Sequence, residues 1–449
     1  MTAILDGPVN ANAKGMFYDG VYTLFGRILK TVFAVALSVL VSRALGPHDR
    51  GLYALPAVYT GLVLAVFAGI SYAVSYFMLN AKVGRGILRP ALLTGAIFTA
   101  VGAIPVIAMA ELGRNAWACV PSLVLLPATV PAMMILGYSL GTKRIRWNTT
   151  YQLLSTVALL IGIGIALGLF PHTAAVAVTA FVVVTALVGA ACLVIVLYDA
   201  RALPARTVRL GQFLLFALRV GLVNLVSLLN YRADLYIVAL LTTPSVLGEY
   251  AVAVSAAEAL LIVTQVPGIV TSPHVGSMVR EEAVLLTAKC VRATFLLSLA
   301  VCVACFALAP YGVWLLYGSA YLPLVPALRV LLISVIFLSL NMCFWNYFNL
   351  KIGKPEIPLI SNAVAALLCI VASWFLVQRF GMIGAATATA LAYLLGQSVS
   401  IAFFLRSTDL PLAAVLIPTR SDLRDYTRMG KAFVRDVSRK IAMLHSEAA

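Results

Sequence analysis

From Phe17 to Ser407 the chain alternates long apolar stretches with short polar breaks. Each apolar stretch runs for roughly 20–30 residues, the length an α-helix needs to cross a bilayer. The pattern predicts helices starting near Phe17, Gly51, Ile87, Ala116, Thr150 and Thr173, then near Leu210, Gly248, Ala283, Tyr321, Glu356 and Gly381. That is twelve transmembrane helices, six in each half, and an all-α integral membrane protein. No stretch shows the period-two alternation of a half-buried strand.

The halves carry traces of an internal repeat. The corner Pro47, Gly51, Tyr53-Ala54 returns as Pro244, Gly248, Tyr250-Ala251 at one offset of 197. The reading is two copies of one helical unit. The expected organisation is an N-terminal segment 1–16, a first lobe 17–198, a linker 199–209 with Pro204 breaking the preceding helix, a second lobe 210–407 and a basic tail 408–449. In the tail, Leu423, Tyr426, Phe433, Val437, Ile441 and Leu444 recur at helical spacing between cations. That pattern fits an amphipathic helix on an anionic leaflet or a disordered basic tail.

Composition supports lipid as the main solvent. Hydrophobic residues make up 62% and charged residues 11%, against about 25% charged in soluble domains. The net charge of +16 does not point to nucleic acid, because the cations cluster in the short loops. Of 32 Lys and Arg, 23 fall on the side holding both termini, 4 on the other side and 5 within spans. The positive-inside bias therefore predicts cytoplasmic termini. No cleavable signal peptide is expected, since the first apolar stretch is too long and carries internal charge. The seven cysteines lack ligand spacing and read as small apolar fillers.

Charges inside spans cost at least about 2.5–3.5 kcal/mol each, so each one needs a partner, water or an exit. In the first span Asp19, Arg27 and Lys30 share one helical face. The two cations lie one turn apart, with the carboxylate two turns away. Their surplus positive charge predicts a hydrated pocket for an anion. Arg219 adds to that field from the seventh span. Asn224 sits at the repeat position of Arg27, and Gln265, Asn341 and Asn346 are further polar groups for a pathway. Arg232 and Asp234 read as a structural or functional pair. Arg329 is placed to snorkel. Asp234 and Glu258 are candidates for ion coupling, and Glu258 is also a candidate partner for Arg232. No Walker A loop, HExxH or GxSxG occurs, and the four histidines are scattered. No enzyme activity, cofactor or metal is expected.

One family fits these residues. The corner Ser42-Arg43-Ala44-Leu45-Gly46-Pro47 with Gly51-Leu52-Tyr53-Ala54 resembles the first hairpin of bacterial polysaccharide exporters, the O-antigen flippase-like branch of the multidrug/oligosaccharidyl-lipid/polysaccharide (MOP) superfamily. Arg232-Ala233-Asp234, Leu315-Leu316-Tyr317-Gly318, Gly353-Lys354-Pro355 and Gly381-Met382-Ile383-Gly384 are similar to later pieces of that family. The resemblance implies two six-helix lobes around a central cavity. It implies an undecaprenyl-diphosphate-linked glycan as cargo, moved to the outer leaflet by ion-coupled alternating access. It further suggests membrane lipid and polysaccharide polymerase or export machinery as partners. The rivals are a drug/cation antiporter of the same superfamily, which would want an acidic cavity, and a peptidoglycan lipid-precursor flippase, which typically carries fourteen helices. A membrane-embedded polymerase would need a large outer loop with catalytic residues. A scaffold anchored by its tail is a further alternative.

Overall fold

The computed structural model describes residues 9–112, 116–354, 356–408 and 410–417. The described chain is almost entirely helical, and its one β-type pairing is an isolated bridge between Gly86 and Thr207. Ten continuous helices are long and apolar enough to cross a membrane. Two of them are each a pair meeting at a glycine, which makes twelve spans among the described residues. The sequence predicts the same number.

The first continuous run, Val9–Asn80, has 72 residues and would be about 108 Å long if straight, several times the bilayer core. It breaks at Gly46, whose φ of 71° and ψ of 174° leave the helical region and suit only a residue without Cβ. Pro47 follows, fixed at a helix-compatible φ and with no N–H left unsatisfied. This separates α1 (9–45) from α2 (47–80). The last long run, Glu356–Thr408, breaks in the same manner at Gly381, with φ 55° and ψ −133°, into α11 (356–380) and α12 (382–408).

Between them lie α3 (Leu88–Leu112), α4 (Cys119–Gly141), α5 (Ile145–Leu169), α6 (Ala174–Asp199) and α7 (Leu210–Leu241). Next come α8 (Pro244–Ala259), α9 (Arg280–Tyr317) and α10 (Val325–Asn346). The span begun by α8 continues irregularly as Leu261–Thr264 and Val266–Ser277, and α10 ends in a π turn over Tyr347–Ile352. The predicted amphipathic stretch 423–444 lies outside the described residues.

The chain forms two compact units. One comprises Met1–Ala259, Leu308–Leu331 and Ala363–Ala392; the other comprises Leu260–Ala307, Leu332–Asn362 and Tyr393–Ala449. In the first unit, Val41 of α1, Ile163 and Leu167 of α5 and Ala177 of α6 form one buried cluster. In the second, Phe344, Tyr347, Phe348 and Phe404 stack edge to face around Cys290 and Cys343. All seven cysteines are free and five are buried, the placement expected of small apolar fillers.

At one end of the first unit the linker docks on the α2–α3 loop. The Arg85 N–H donates to the Pro204 carbonyl at 3.0 Å, and Arg144 pairs with Asp199 at 3.0 Å. Three loops assigned to one membrane side by charge therefore meet. At the other end the two repeated corners touch. A Cβ on Gly51 would run into the Pro244 carbonyl, and a Cβ on Gly248 would run into the Pro47 carbonyl. Each corner's glycine thus admits the other corner's proline backbone. Arg43 donates to the Leu315 and Leu316 carbonyls at the end of α9, where a cation also suits the helix dipole. Asp49 accepts from the Ala174 N–H at the start of α6, at 3.1 Å.

Adding a methyl at either corner glycine forces backbone apart, at a cost of about 1–3 kcal/mol. Gly51→Ala and Gly248→Ala are expected to lower the melting temperature of the purified protein. Gly312→Ala, where a Cβ meets nothing within 4 Å, is the control and is expected to leave it unchanged. Equal melting of all three variants would contradict the reciprocal contact.

Candidate functional site

The candidate site starts on α1, where the apolar run is interrupted by Arg27 and Lys30. The neighbouring helix, α5, opens with the polar series Asn148, Thr149, Thr150 and Gln152. The two helices meet closely at Gly26, whose missing side chain makes room for the Thr149 methyl. The Tyr22 and Thr150 hydroxyls are 2.7 Å apart, and Thr149 and Thr23 are 3.4 Å apart.

One turn further, the Lys30 ammonium donates to the Gln152 amide oxygen at 2.9 Å. The Gln152 amide nitrogen donates in turn to Asn148 Oδ1 at 2.6 Å. Asn148 then reaches Ser139 Oγ and the Leu136 carbonyl on α4, each at 3.4 Å. Lys30 is half-buried and Arg27 is exposed. Among the described residues no carboxylate comes within ion-pair distance of either cation. A neutral amide orients the ammonium without neutralising it; the Asp19 side chain lies outside the described residues. Arg219 is exposed on α7; Asn224, half-buried, donates to its own helix at the Val220 carbonyl, 2.9 Å away.

The second polar group lies where α7, α8 and α12 meet. Arg232 pairs with Glu258, Nη2 to Oε2 at 2.7 Å. Of the two partners the sequence offers Arg232, Asp234 and Glu258, it is Glu258 that lies beside it. Positions two apart on a helix do not face each other, so the guanidinium reaches across to α8 while Asp234 turns into the packed interior. Asp234 is 3% exposed. It accepts from the Tyr250 hydroxyl at 2.5 Å and from the Thr389 hydroxyl at 2.6 Å, both on the same oxygen. The Leu235 N–H donates to its other oxygen at 2.7 Å. This is a buried carboxylate held by hydroxyls.

Three further candidates, Gln265, Asn341 and Asn346, belong to the second unit. Gln265 sits at the break between Leu261–Thr264 and Val266–Ser277. Asn341 is half-buried. Asn346 is buried and uses both ends of its amide, donating to the Gly268 carbonyl at 2.7 Å and accepting from Ser272 at 3.2 Å. Arg329 is half-buried in the first unit. The first unit thus brings together Arg27 and Lys30 with α5, and Arg232, Asp234 and Glu258 with one another. Gln152, Tyr250 and Thr389 are not among the site residues the sequence suggests. Gln152 carried a usable signal, a lone amide two residues inside an apolar stretch. Tyr250 is the repeat mate of Tyr53, yet Tyr53 packs edge to face on Phe181 and not on a carboxylate.

No protein-family model and no curated protein matches the sequence. Solved structures do. The lipid II flippase MurJ, in an inward closed conformation, superposes with a TM-score of 0.71 at 14% identity, over 89% of each chain. An inward-facing multidrug resistance MATE family transporter of the MOP superfamily gives 0.60 at 17% identity, over 85% of this chain and 94% of that one. A MOP superfamily transporter from Pyrococcus furiosus, described as having a binding pocket of reversed polarity, gives 0.55 at 17% identity, over 88% and 95%. At such identities the likeness is one of fold. The chain is a multi-pass membrane protein with the fold of the MOP superfamily transporters.

If Gln152 orients Lys30, removing one partner costs more than removing both. A double-mutant cycle with Lys30→Met and Gln152→Leu is expected to give a coupling of about 1 kcal/mol in thermal or denaturant unfolding in detergent. A coupling near zero would mean that the contact carries no weight.

Proposed function

We propose that the protein is a flippase for an anionic, lipid-linked oligosaccharide, and that Arg27 and Lys30 attract its diphosphate. The observation that carries this reading is the pair of cations one turn apart on a membrane-spanning helix, with an amide and no described carboxylate beside them. An exposed cation facing hydrocarbon would cost several kcal/mol. Facing a hydrated path, it costs little and recruits negative charge. Arg is suited to grip a phosphate bidentately and Lys to act as a point charge. Arg219 adds to the field, and Asn224, Gln265 and Asn341 are candidate hydrogen-bonding partners for sugar hydroxyls.

The fold supports transport as the general activity. The neighbours include a lipid II flippase and multidrug resistance transporters. Within this reading the cargo is an undecaprenyl-diphosphate-linked glycan, carried from the cytoplasmic to the outer leaflet of an inner membrane in which both termini are cytoplasmic. The two halves of the repeat rock as lobes, as in transporters built from parallel repeats. A peptidoglycan lipid precursor is the second reading, favoured by the TM-score of 0.71 to MurJ. It uses the same cations on the same diphosphate chemistry.

Coupling to an ion gradient falls to Asp234 ahead of Glu258. Glu258 is already engaged by the Arg232 guanidinium at 2.7 Å. Asp234 is buried and held by hydroxyls, and carboxylates within spans commonly mark ion pathways.

Two outcomes are expected. Arg27→Ala should abolish the appearance of lipid-linked oligosaccharide on the outer leaflet, measured by leaflet-specific labelling in cells, while leaving membrane insertion intact. Arg27→Lys should retain part of the activity. Normal transport by Arg27→Ala would sink the cationic-site reading. Separately, Asp234→Asn should make transport insensitive to collapse of the ion gradient, whereas Glu258→Gln should stay sensitive. The reverse pattern would move the coupling role to Glu258.

A further inference from the structure

Two thiols meet inside the second compact unit. Cys290 on α9 and Cys343 on α10 bring their sulfurs to 3.1 Å, across 53 residues of sequence. They are 5% and 2% exposed. Each sulfur also has a hydroxyl beside it. Thr271 Oγ1 lies 3.3 Å from Cys290 Sγ, and Thr294 Oγ1 lies 3.4 Å from Cys343 Sγ. A cysteine that only fills space needs neither a second sulfur nor a hydroxyl for company. The other cysteines of this unit, Cys302 and Cys305, are about 18 Å or more further along α9 and out of reach of Cys290.

Three or four converging ligands would point to a metal. Among the described residues no such group of His, Cys, Asp or Glu occurs. Two thiols in contact have another reaction open to them, the formation of a bond. Their separation exceeds a disulfide bond by only about 1 Å, a gap that rotation of the two side chains can close. The pair is also covered in a particular way. After α12 the short helix Leu412–Leu416 packs on the same cluster. Its Val415 is fully buried there, and Arg292, two residues from Cys290, donates to the Ala414 carbonyl. This cap belongs to the second unit as well.

We infer that Cys290 and Cys343 are a redox couple, which a small peroxide converts to a disulfide that closes the α9–α10 hairpin into a covalent ring. Cys290 reacts first, being the less buried of the two and next to the cap. It attacks as the thiolate, with the Thr271 hydroxyl placed to donate to its sulfur. The sulfur takes one peroxide oxygen, the O–O bond breaks, and the departing hydroxide leaves as water with the proton of the thiol. Cys343 then attacks the sulfenic sulfur. The S–S bond forms, the S–O bond breaks, and the second hydroxide leaves as water with the proton of Cys343. Two thiols and one hydrogen peroxide give one disulfide and two waters, with two electrons passing from sulfur to oxygen. The oxidant is small and uncharged, so it enters a packed apolar region closed to glutathione or a protein. The cap over the cluster sets its access. In the oxidised state α9 can no longer slide along α10 at this level. The assignment does not depend on what the protein carries.

The test uses the full-length protein in phosphatidylcholine nanodiscs, reduced, freed of reductant and treated with hydrogen peroxide. The protein is then denatured, its remaining thiols are alkylated, and its peptides are read by mass spectrometry. The wild type is expected to lose two of its seven alkylatable thiols, to yield a peptide pair linked through Cys290 and Cys343, and to recover both thiols with dithiothreitol. Cys302→Ser should give the same linked pair. Cys343→Ser should give no linked pair and leave Cys290 as a sulfenic acid, trapped by dimedone. Val415→Ser, which loosens the cap, should speed the loss of the two thiols several-fold. The wild-type measurement needs no variant to fold. Seven thiols still alkylated under peroxide that fully oxidises free cysteine would overturn the couple. So would a bond from Cys290 or Cys343 to any other cysteine. An unchanged rate in Val415→Ser would overturn the control of access by the cap.

Discussion

The contact that the first unit depends on is the mutual approach of two backbones at the repeated corners. Gly51 lies against the Pro244 carbonyl and Gly248 against the Pro47 carbonyl. Side chains can rotate away from a clash, but backbones in helices cannot, so the contact permits one arrangement only. Proline at the start of each helix fixes the approach, and glycine one turn later provides the space. The corner then gathers its surroundings. Arg43 closes the end of α9, Asp49 caps the start of α6, and the Tyr321 hydroxyl reaches the Ser42 carbonyl at 3.2 Å. Small residues at helix crossings serve the same purpose in membranes generally, where close packing replaces the hydrophobic drive. Gly69 against Ala217 and Gly221 against Val66 repeat the device further along α2 and α7.

On that frame the polar groups sort by what they touch. Lys30 meets an amide, Arg232 a carboxylate, Asp234 two hydroxyls and Arg50 an aromatic face. These partners imply different tasks. A cation beside a carboxylate is neutralised and holds two helices together. A cation beside an amide or a ring is positioned but still charged. By this measure Arg232, despite its depth, belongs to the architecture. Lys30 and Arg50, with the exposed Arg27, have no ion-pair partner among the described residues.

Helix number and turn positions were legible in the sequence because both follow from strong local rules. About twenty apolar residues make a span, and a Gly-Pro corner ends one. The breaks at Gly46 and Gly381 fall where the sequence predicts new helices. Electrostatic depth was legible for Arg27 and Lys30, since a charge in an apolar run stands out wherever its neighbours lie. Pairing was not. Whether Arg232 faces Asp234 or Glu258 depends on which helix packs on which face, and linear spacing carries only half of that. The sequence left Asp234 and Glu258 both open, and helical geometry chose Glu258, 26 residues away. Tyr250 and Thr389 were invisible for the same reason, as ordinary residues that become specific only when Asp234 lies between them. Asn346 shows the opposite error. It looked available, but both ends of its amide serve packing.

The docking of the linker on the α2–α3 loop bears on how such a chain is assembled. The Arg85 N–H bonds the Pro204 carbonyl, Gly86 bridges Thr207, and Gly84 and Gly86 leave no space for side chains against Pro204 and Arg206. All of these residues are synthesised before the second half, and domains tend to fold in the order of synthesis. The first six helices can therefore be inserted and latched by their own linker while α7 is still being translated. The nascent α7 then emerges from an anchored point beside α2, and the corner at Gly51 is already in place when Gly248 arrives. The linker sets the order of biogenesis as well as joining the halves.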